Sequence, residues 1–520
     1  MRIALISAPY EIKRYRVGES LGLKYIASSL ESLGHEVDII DMSLDNISEK
    51  ELISQLTTGN YPLLGFSVLF TKALKMTLTL AERVRLELSD CAHFTIGGQG
   101  ISFLWSEILM ICKAIDTCIV FEGEKTVVEL ANCLESGSGD LSQISGIYIR
   151  VNSEIKFTGF REPIIDLDSL PFPRRKKHSQ LYNQPHFTML TSRGCYGNCT
   201  FCASGNFGNR YHNEALWRSR SPANIVDEME YLIYYYGLKA ISFVDDTFIG
   251  GSQEGLSRAV KFADLLLKKR YSIKWSIECR VDEVNYFLFK SMRDAGLSHI
   301  FIGIDGGNSN DLKLFSKGFD LQRVEKALHT LKDLELSFEI GFIMFTPITT
   351  LDVIKNNLLF LKSNTLANFN ILTNKLELYC GSPLITLFAR KGLIQKKDFS
   401  YDFHFLDSRV ETFRCALLKC LRPFQPIEIK IKKTKFQFQT GIDFQYNSNH
   451  DKYSSIKILN TIENEMSLME IEIAEKTLRE SAQFGVFDKF DCNCGFVEEL
   501  RKESLELALV ISKRIDKIAK

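Results

Sequence analysis

The chain opens on a short apolar run, residues 3–7, that stops at Pro9. Leu21, Leu23, Ile26, Ala27, Leu30 and Leu33 then recur at helical spacing, and Gly34 supplies a C-terminal stop. Uniformly apolar runs follow at residues 37–40, 63–70, 94–96 and 118–121, separated by amphipathic stretches. Short strands without polar alternation are buried on both faces, so this part predicts a parallel sheet covered by helices. The expected unit is five-stranded and flavodoxin-like (Rossmann-like), with its ligand beyond the strand C-termini. Pro9, Ser67, Gly97, Gly98, Glu122 and Gly123 fall at those edges, where glycine lets a ligand approach the backbone.

From residue 187 the alternation resumes on a larger scale. Strands are predicted at 187–191, 240–244, 274–277, 299–304, 338–345 and 368–378, with helices such as 224–236 and 256–269 between them. A repeat of about thirty residues is the size of a β/α unit, and six of them make a partial (β/α)6 TIM-type barrel. After residue 400, Ile427, Ile429, Ile431, Phe436 and Phe438 alternate with polar residues, and Ile442, Phe444 and Tyr446 do so beyond Gln439-Thr-Gly441. That pattern predicts an antiparallel hairpin, followed by helices at 455–483 and 497–518. The expected organisation is therefore α/β throughout: a first domain at 1–145, a proline-rich connector at 146–180, a barrel core at 181–400 and a small α+β region at 401–520.

Charge removes some functions. Lys and Arg together number 64, as do Asp and Glu, so the balance gives no reason to expect nucleic acid or an anionic membrane as partner. The run Arg174-Arg-Lys-Lys177 reads as a solvated linker. The 13 cysteines are scattered rather than spaced as a disulfide framework. The N-terminus reads as a strand rather than a signal peptide. A reducing cytoplasm is the expected location.

Three of the cysteines change the picture most. Cys195, Cys199 and Cys202 lie in the run Thr191-Ser-Arg-Gly-Cys-Tyr-Gly-Asn-Cys-Thr-Phe-Cys202. Thiolates so close together, separated by turn formers, can wrap one metal centre. Three thiolates hold three irons of a 4Fe-4S cluster and leave the fourth open, whereas ferredoxin-type clusters close every position with Cys. Zinc is a competing reading, although it normally draws four ligands from two separated pairs. Buried, inert thiols are another.

The spacing C-x3-C-x2-C, with Phe201 before the last Cys, resembles the signature of the radical S-adenosylmethionine superfamily. The resemblance implies that S-adenosylmethionine chelates the open iron and is cleaved by one electron to a 5'-deoxyadenosyl radical. In the barrel reading the loop follows the first strand, at the rim where barrel enzymes place their chemistry. Asp245 and Asp246 close the second strand, where a carboxylate could accept from the methionyl ammonium; a cap or loop carboxylate is the alternative. Glu278 and Arg280 end the third strand, where the family often places ribose and carboxylate contacts. Gly303 and Asp305 end the fourth, near adenine, sugar or substrate. Cys279, Met344 and Phe345 are expected in the core.

Residues 1–145 in turn resemble the cobalamin-binding domain found ahead of many such cores. The likeness rests on Leu21-Gly-Leu-Lys-Tyr-Ile-Ala27, Leu33-Gly-His-Glu-Val-Asp38, Gly65-Phe-Ser67, Ile96-Gly-Gly98 and Glu122-Gly-Glu124. The D-x-H-x-x-G motif is missing after the first strand, so cobalamin is expected without a protein His ligand; a relic domain that binds nothing is the alternative. The implied activity is methylation of an unactivated carbon of a small metabolite or peptide, with flavodoxin or ferredoxin as electron donor. Rearrangement, cyclisation or oxidation beside a cofactor-free first domain is the second reading, and a non-catalytic iron-sulfur protein the third.

Overall fold

The computed structural model describes residues 1–9, 19–88, 92–137, 139–175, 186–204, 217–440, 449–483 and 494–519. Its first sheet is built from β1 (Arg2–Ser7), β2 (Glu36–Asp41), β3 (Leu63–Ser67), β4 (His93–Gly97), β5 (Thr117–Ile119), β6 (Ile147–Val151) and β7 (Glu154–Phe157), in the order β2-β1-β3-β4-β5-β6-β7. The five strands expected from the pattern pair in parallel. The β6–β7 hairpin joins antiparallel, carrying the sheet past the boundary expected at 145. β1 is buried from Ile3 to Ser7 because both faces are covered. Helices Leu21–Glu31 and Glu124–Ser136 pack on one side, and Glu49–Gly59, Leu74–Leu88 and Trp105–Ile111 on the other.

The second sheet contains β8 (His186–Met189), β11 (Ala240–Phe243), β12 (Lys274–Arg280), β13 (Leu297–Asp305) and β14 (Ser337–Phe342), all parallel, in the order β14-β13-β12-β11-β8. Between β8 and β11 a small ladder joins β9 (Ser192–Arg193) to β10 (Arg218–Ser219). Where a sixth strand is expected, Asn368 instead caps a short helix, Phe369–Thr373, by accepting from the amide of Ile371. Only an isolated parallel bridge, Phe345 to Lys375, marks the sixth position. Register puts Glu278, Phe301 and Glu339 in one row, and Arg280, Gly303 and Gly341 in another row nearer the rim.

The C-terminal region departs from expectation. Gln425–Thr440 is a helix, not half of a hairpin. A two-residue alternation also fits a helix when only every fourth residue is buried: Ile427 and Ile431 are in the core while Ile429 is 56% exposed. Residues 442–446 lie outside the described residues. The hairpin that does form is β15 (Ile394–Lys397) with β16 (Ser400–Phe403). Helices Asn449–Gln483 and Gly495–Ala519 complete the region and share the barrel's core.

The connector is not simply solvated. Arg175 is 7% exposed and pairs with both Glu19 and Glu228 at 2.9 Å. Lys24 reaches Glu19 at 2.7 Å and Arg220 reaches Glu228 at 2.5 Å. Five alternating charges thus run from the first domain through the connector into the barrel. Buried charges are tolerated when paired in this way.

Candidate functional site

The loop after β8 is held from beneath. Asp245, at the end of β11, is buried and accepts from the amides of Thr191 at 2.6 Å and Ser192 at 2.9 Å, and from the Thr191 hydroxyl. Arg258 donates to the Thr191 carbonyl at 3.0 Å. Gly194 then takes a positive φ of 83°, which turns the chain into the cysteines. Asp245 is therefore the loop carboxylate of the two readings: its oxygens are spent on the backbone. Asp246 is the one that lines the open cavity, with Ser204 and the Gly194 amide beside it.

Within the loop, the amide of Gly197 donates to Cys195 Sγ at 3.3 Å and that of Cys202 to the Cys199 carbonyl at 3.1 Å. A Cβ on Gly197 would stand 2.4 Å from the Arg280 guanidinium, so any larger residue there would displace that side chain. Thr200 donates from its amide to the Phe315 carbonyl at 3.1 Å. Phe201 packs edge-on against Phe315 at 5.4 Å; it anchors the loop to the fourth β/α unit. Burial, with Asp246 near, pushes the Cys195 thiol up to about 12, so the metal-free group is protonated.

Among the described residues no three His, Cys, Asp or Glu side chains could hold one metal ion together. Three thiols in one short loop, with Cys199 Sγ 3.5 Å from the Arg280 guanidinium, offer one ligand to each of three irons and leave the fourth open. The loop fits a 4Fe-4S cluster on Cys195, Cys199 and Cys202.

Arg280 is buried behind this loop rather than presented to a ligand. Its fork is spent on Cys199 Sγ at 3.5 Å, the Lys317 carbonyl at 2.6 Å and Asp282 at 3.0 Å. Asp305 is likewise occupied: it sits at φ 67° and pairs with Lys317 at 2.5 Å. Gly303 stands in the row beside it, open enough that an added Cβ would only touch that pair. Glu278 keeps its side chain exposed, and burial of its surroundings, then Asp246 and Asp245, raises it to about 7. Cys279, Met344 and Phe345 are core residues, as expected. None of the described cysteines is joined in a disulfide.

A cavity of about 430 Å³ runs from the C-terminal edge of the first sheet to this loop. Ser67, Gly97, Gly98 and Gly123 line one wall, Cys195, Ser204 and Asp246 the other. Pro9, two residues beyond β1, stands outside the lining. Apolar Leu23, Ile26, Ile119 and Phe121 cover much of the rest, and no His is among the lining residues. Gly98 turns at φ 105° where a Cβ would meet the Val68 carbonyl at 2.5 Å. An apolar, glycine-edged chamber of this kind fits a corrin held without a protein imidazole. Glu122 lines the same cavity, but its carboxylate is engaged by Arg193, Arg218 and the amide of Ile164. Sequence reasoning missed Arg193, Arg218, Arg258 and Lys317; only Arg193 had a signal, its place inside the cysteine run.

Residues 10–131 match the B12 binding domain family, and residues 189–360 match the Radical SAM superfamily. The chain is 28% identical over 384 residues to an uncharacterized methyltransferase of Pyrococcus horikoshii, covering 72% of this chain and 81% of the relative. It is 25% identical over 333 residues to hopanoid C-3 methylase of Methylococcus capsulatus, covering 62% and 61%. Its fold superposes on the cobalamin-dependent S-adenosylmethionine radical enzyme OxsB, solved with aqua-cobalamin bound, with a TM-score of 0.77 at 20% identity, over 99% of this chain and 80% of that one. No described helix is long and apolar enough to cross a membrane. With a three-cysteine loop at the rim of a partial barrel and an apolar, glycine-edged chamber between that loop and the first sheet, the chain is a radical S-adenosylmethionine enzyme with an N-terminal B12 binding domain.

Proposed function

We propose that this protein methylates an unactivated carbon of a small metabolite or peptide, drawing electrons from a flavodoxin or ferredoxin. The observation that carries this reading is the single cavity shared by Gly97 and Gly98 of the first sheet and Cys195 of the cluster loop. Two reactive centres that face one chamber can act on one carbon in turn. When bound, the cluster with S-adenosylmethionine supplies a 5'-deoxyadenosyl radical that removes a hydrogen atom, and cobalamin supplies the methyl group.

The chain's own residues position and exclude. Cys195, Cys199 and Cys202 would hold the cluster, Asp246, which lines the cavity beside Cys195, would accept from the methionyl ammonium, and the exposed Glu278 would accept from ribose hydroxyls. Gly303 leaves room beside them for a flat or sugar group. The apolar wall of Leu23, Ile26 and Phe121 keeps water from the chamber.

Anaerobic reconstitution with iron, sulfide and hydroxocobalamin tests the reading. The expected result is corrin absorption retained after gel filtration, with both S-adenosylhomocysteine and 5'-deoxyadenosine formed on reduction. 5'-Deoxyadenosine without S-adenosylhomocysteine, or loss of the corrin bands, would reject methyl transfer. The Cys195→Ala, Cys199→Ala, Cys202→Ala triple variant is expected to lose its iron and both products.

A further inference from the structure

Arg193 lies in β9, two residues before Cys195, yet its side chain belongs to the other domain. It pairs with Glu122 at 3.1 Å and with Glu124 at 2.5 Å, and its guanidinium lies 5.7 Å from the ring of Tyr25. All three partners come from the B12 binding domain. Across the β9–β10 ladder, Arg218 stands opposite Arg193 and spans both Glu122 oxygens, sharing Oε1 with Arg193 at 2.9 Å and holding Oε2 at 3.1 Å. Arg218 also donates to the Ile164 carbonyl at 2.6 Å, while the Ile164 amide donates to Glu122 at 2.8 Å. Two cations and two anions close on each other, with side chains between 8% and 20% exposed.

The clasp is placed where cohesion alone would not require it. The domains are already tied at another point by the buried chain Lys24, Glu19, Arg175, Glu228 and Arg220. The Arg193 clasp instead joins the backbone that leads into the first cluster cysteine to Glu122 and Glu124, and all four of its charged groups line the shared cavity. Gly194, at φ 83°, is the single residue between the clasp and Cys195, so movement of Arg193 passes directly to the cysteine loop.

We propose that Arg193 is a positioning residue that fixes the cluster loop in register with the edge of the first domain, coupling the order of the two halves of the cavity. The part of this inference that concerns cobalamin rests on the proposed function; the coupling of the two loops does not. Removing one member of a paired, largely buried set leaves the others uncompensated, so the effect is expected on both walls at once.

The test uses the full chain with its cluster reconstituted, comparing wild type with Arg193→Gln, Arg193→Lys and Glu124→Gln. Hydrogen exchange without cobalamin is measured first. Arg193→Gln and Glu124→Gln are expected to raise exchange about tenfold in both segments 122–127 and 192–199, a tenfold step being one unit of the logarithmic scale. Exchange in β2 and β14 is expected to stay unchanged. Hydroxocobalamin titration by absorbance follows, with binding about tenfold weaker in Arg193→Gln, partly restored in Arg193→Lys, and iron content equal to wild type. Unchanged exchange in either segment, or a rise confined to one, overturns the coupling. Loss of iron in both Arg193→Gln and Glu124→Gln would make the clasp a folding element of the cluster loop and overturns it as well. If wild type takes up no hydroxocobalamin, the proposed function fails, and the exchange result alone upholds or rejects the role of Arg193.

Discussion

Arg280 holds Nη1 3.5 Å from Sγ of Cys199, while its Nη2 donates to the Lys317 carbonyl at 2.6 Å. The Lys317 ammonium, 3% exposed, is in turn fixed by Asp305. A guanidinium clamped against a cluster thiolate stabilises the more negative, reduced state of the centre. Arg280→Gln is therefore expected to lower the midpoint potential of the cluster, by roughly 60 mV if the tenfold step of a one-electron couple is lost. Potentiometric titration followed by electron paramagnetic resonance measures it. A potential equal to wild type would show that the guanidinium only packs the loop.

Asp245 carries a different prediction because its carboxylate serves the backbone. Asp245→Ala removes the one oxygen that accepts from both the Thr191 and the Ser192 amides. Leaving one such donor unmet costs about 1–3 kcal/mol. Thermal unfolding should show that loss, and the iron content after reconstitution should fall because the loop into Cys195 loosens. Full iron content at wild-type stability would refute the assignment.

Much of this was legible in the chain and some was not, for reasons that differ by residue. The cysteine loop was legible because three thiols within one short run have few innocent explanations. The parallel strands of both sheets were legible in apolar runs that only a doubly covered sheet can bury. Asp245 and Asp246 are adjacent and chemically identical, and only the register of β11 decides which one turns to the cavity. Arg280 and Asp305 looked like ligand groups because the sequence hides their partners: Lys317 lies 12 residues beyond Asp305 on the same wall. Ile427, Ile429 and Ile431 misled because a two-residue period is shared by a strand and by a helix with one buried stripe.

Glu278 predicts a pH dependence. Its carboxyl is raised from 4.5 to about 7, by burial first and by Asp246 and Asp245 next. Below pH 4.5 it is neutral in both folded and unfolded chains. Between 4.5 and 7 the folded chain holds more protons, so stability falls as pH rises through that window. Glu278→Gln removes this dependence. Solvent contact at the exposed side chain reduces the effect, and the variant is expected to gain about 2 °C in Tm at pH 8 and nothing at pH 4.5, by calorimetry. An equal gain at both pH values would place the effect outside the ionisation.

The C-terminal helices carry a second acid pair, far from the cavity. Glu428, in helix Gln425–Thr440, and Glu470, in helix Asn449–Gln483, are 5% and 0% exposed and lie against each other. Glu428 accepts from the Phe369 amide at 2.5 Å, and among the described residues Glu470 is met only by that amide and by Glu428 itself. Burial raises both carboxyls; Glu428 raises Glu470 further, while the hydrogen bond with Glu470 eases ionisation of Glu428, as Lys432 does and Glu463 opposes. Two buried carboxyls in contact hold a shared proton, which makes one the donor to the other. In the unfolded chain both ionise near 4.5, so stability falls as pH rises above that value and the folded pair resists losing its proton. Glu470→Gln supplies a permanent donor to Glu428. It is expected to leave Tm unchanged near pH 4.5 and to raise it by about 2–4 °C at pH 9, where the native pair is most costly. Glu470→Ala, which supplies no donor and opens a cavity, is expected to lower Tm at both pH values. A Glu470→Gln variant less stable than wild type at pH 9 would mean that the pair is ionised and held by a cation instead.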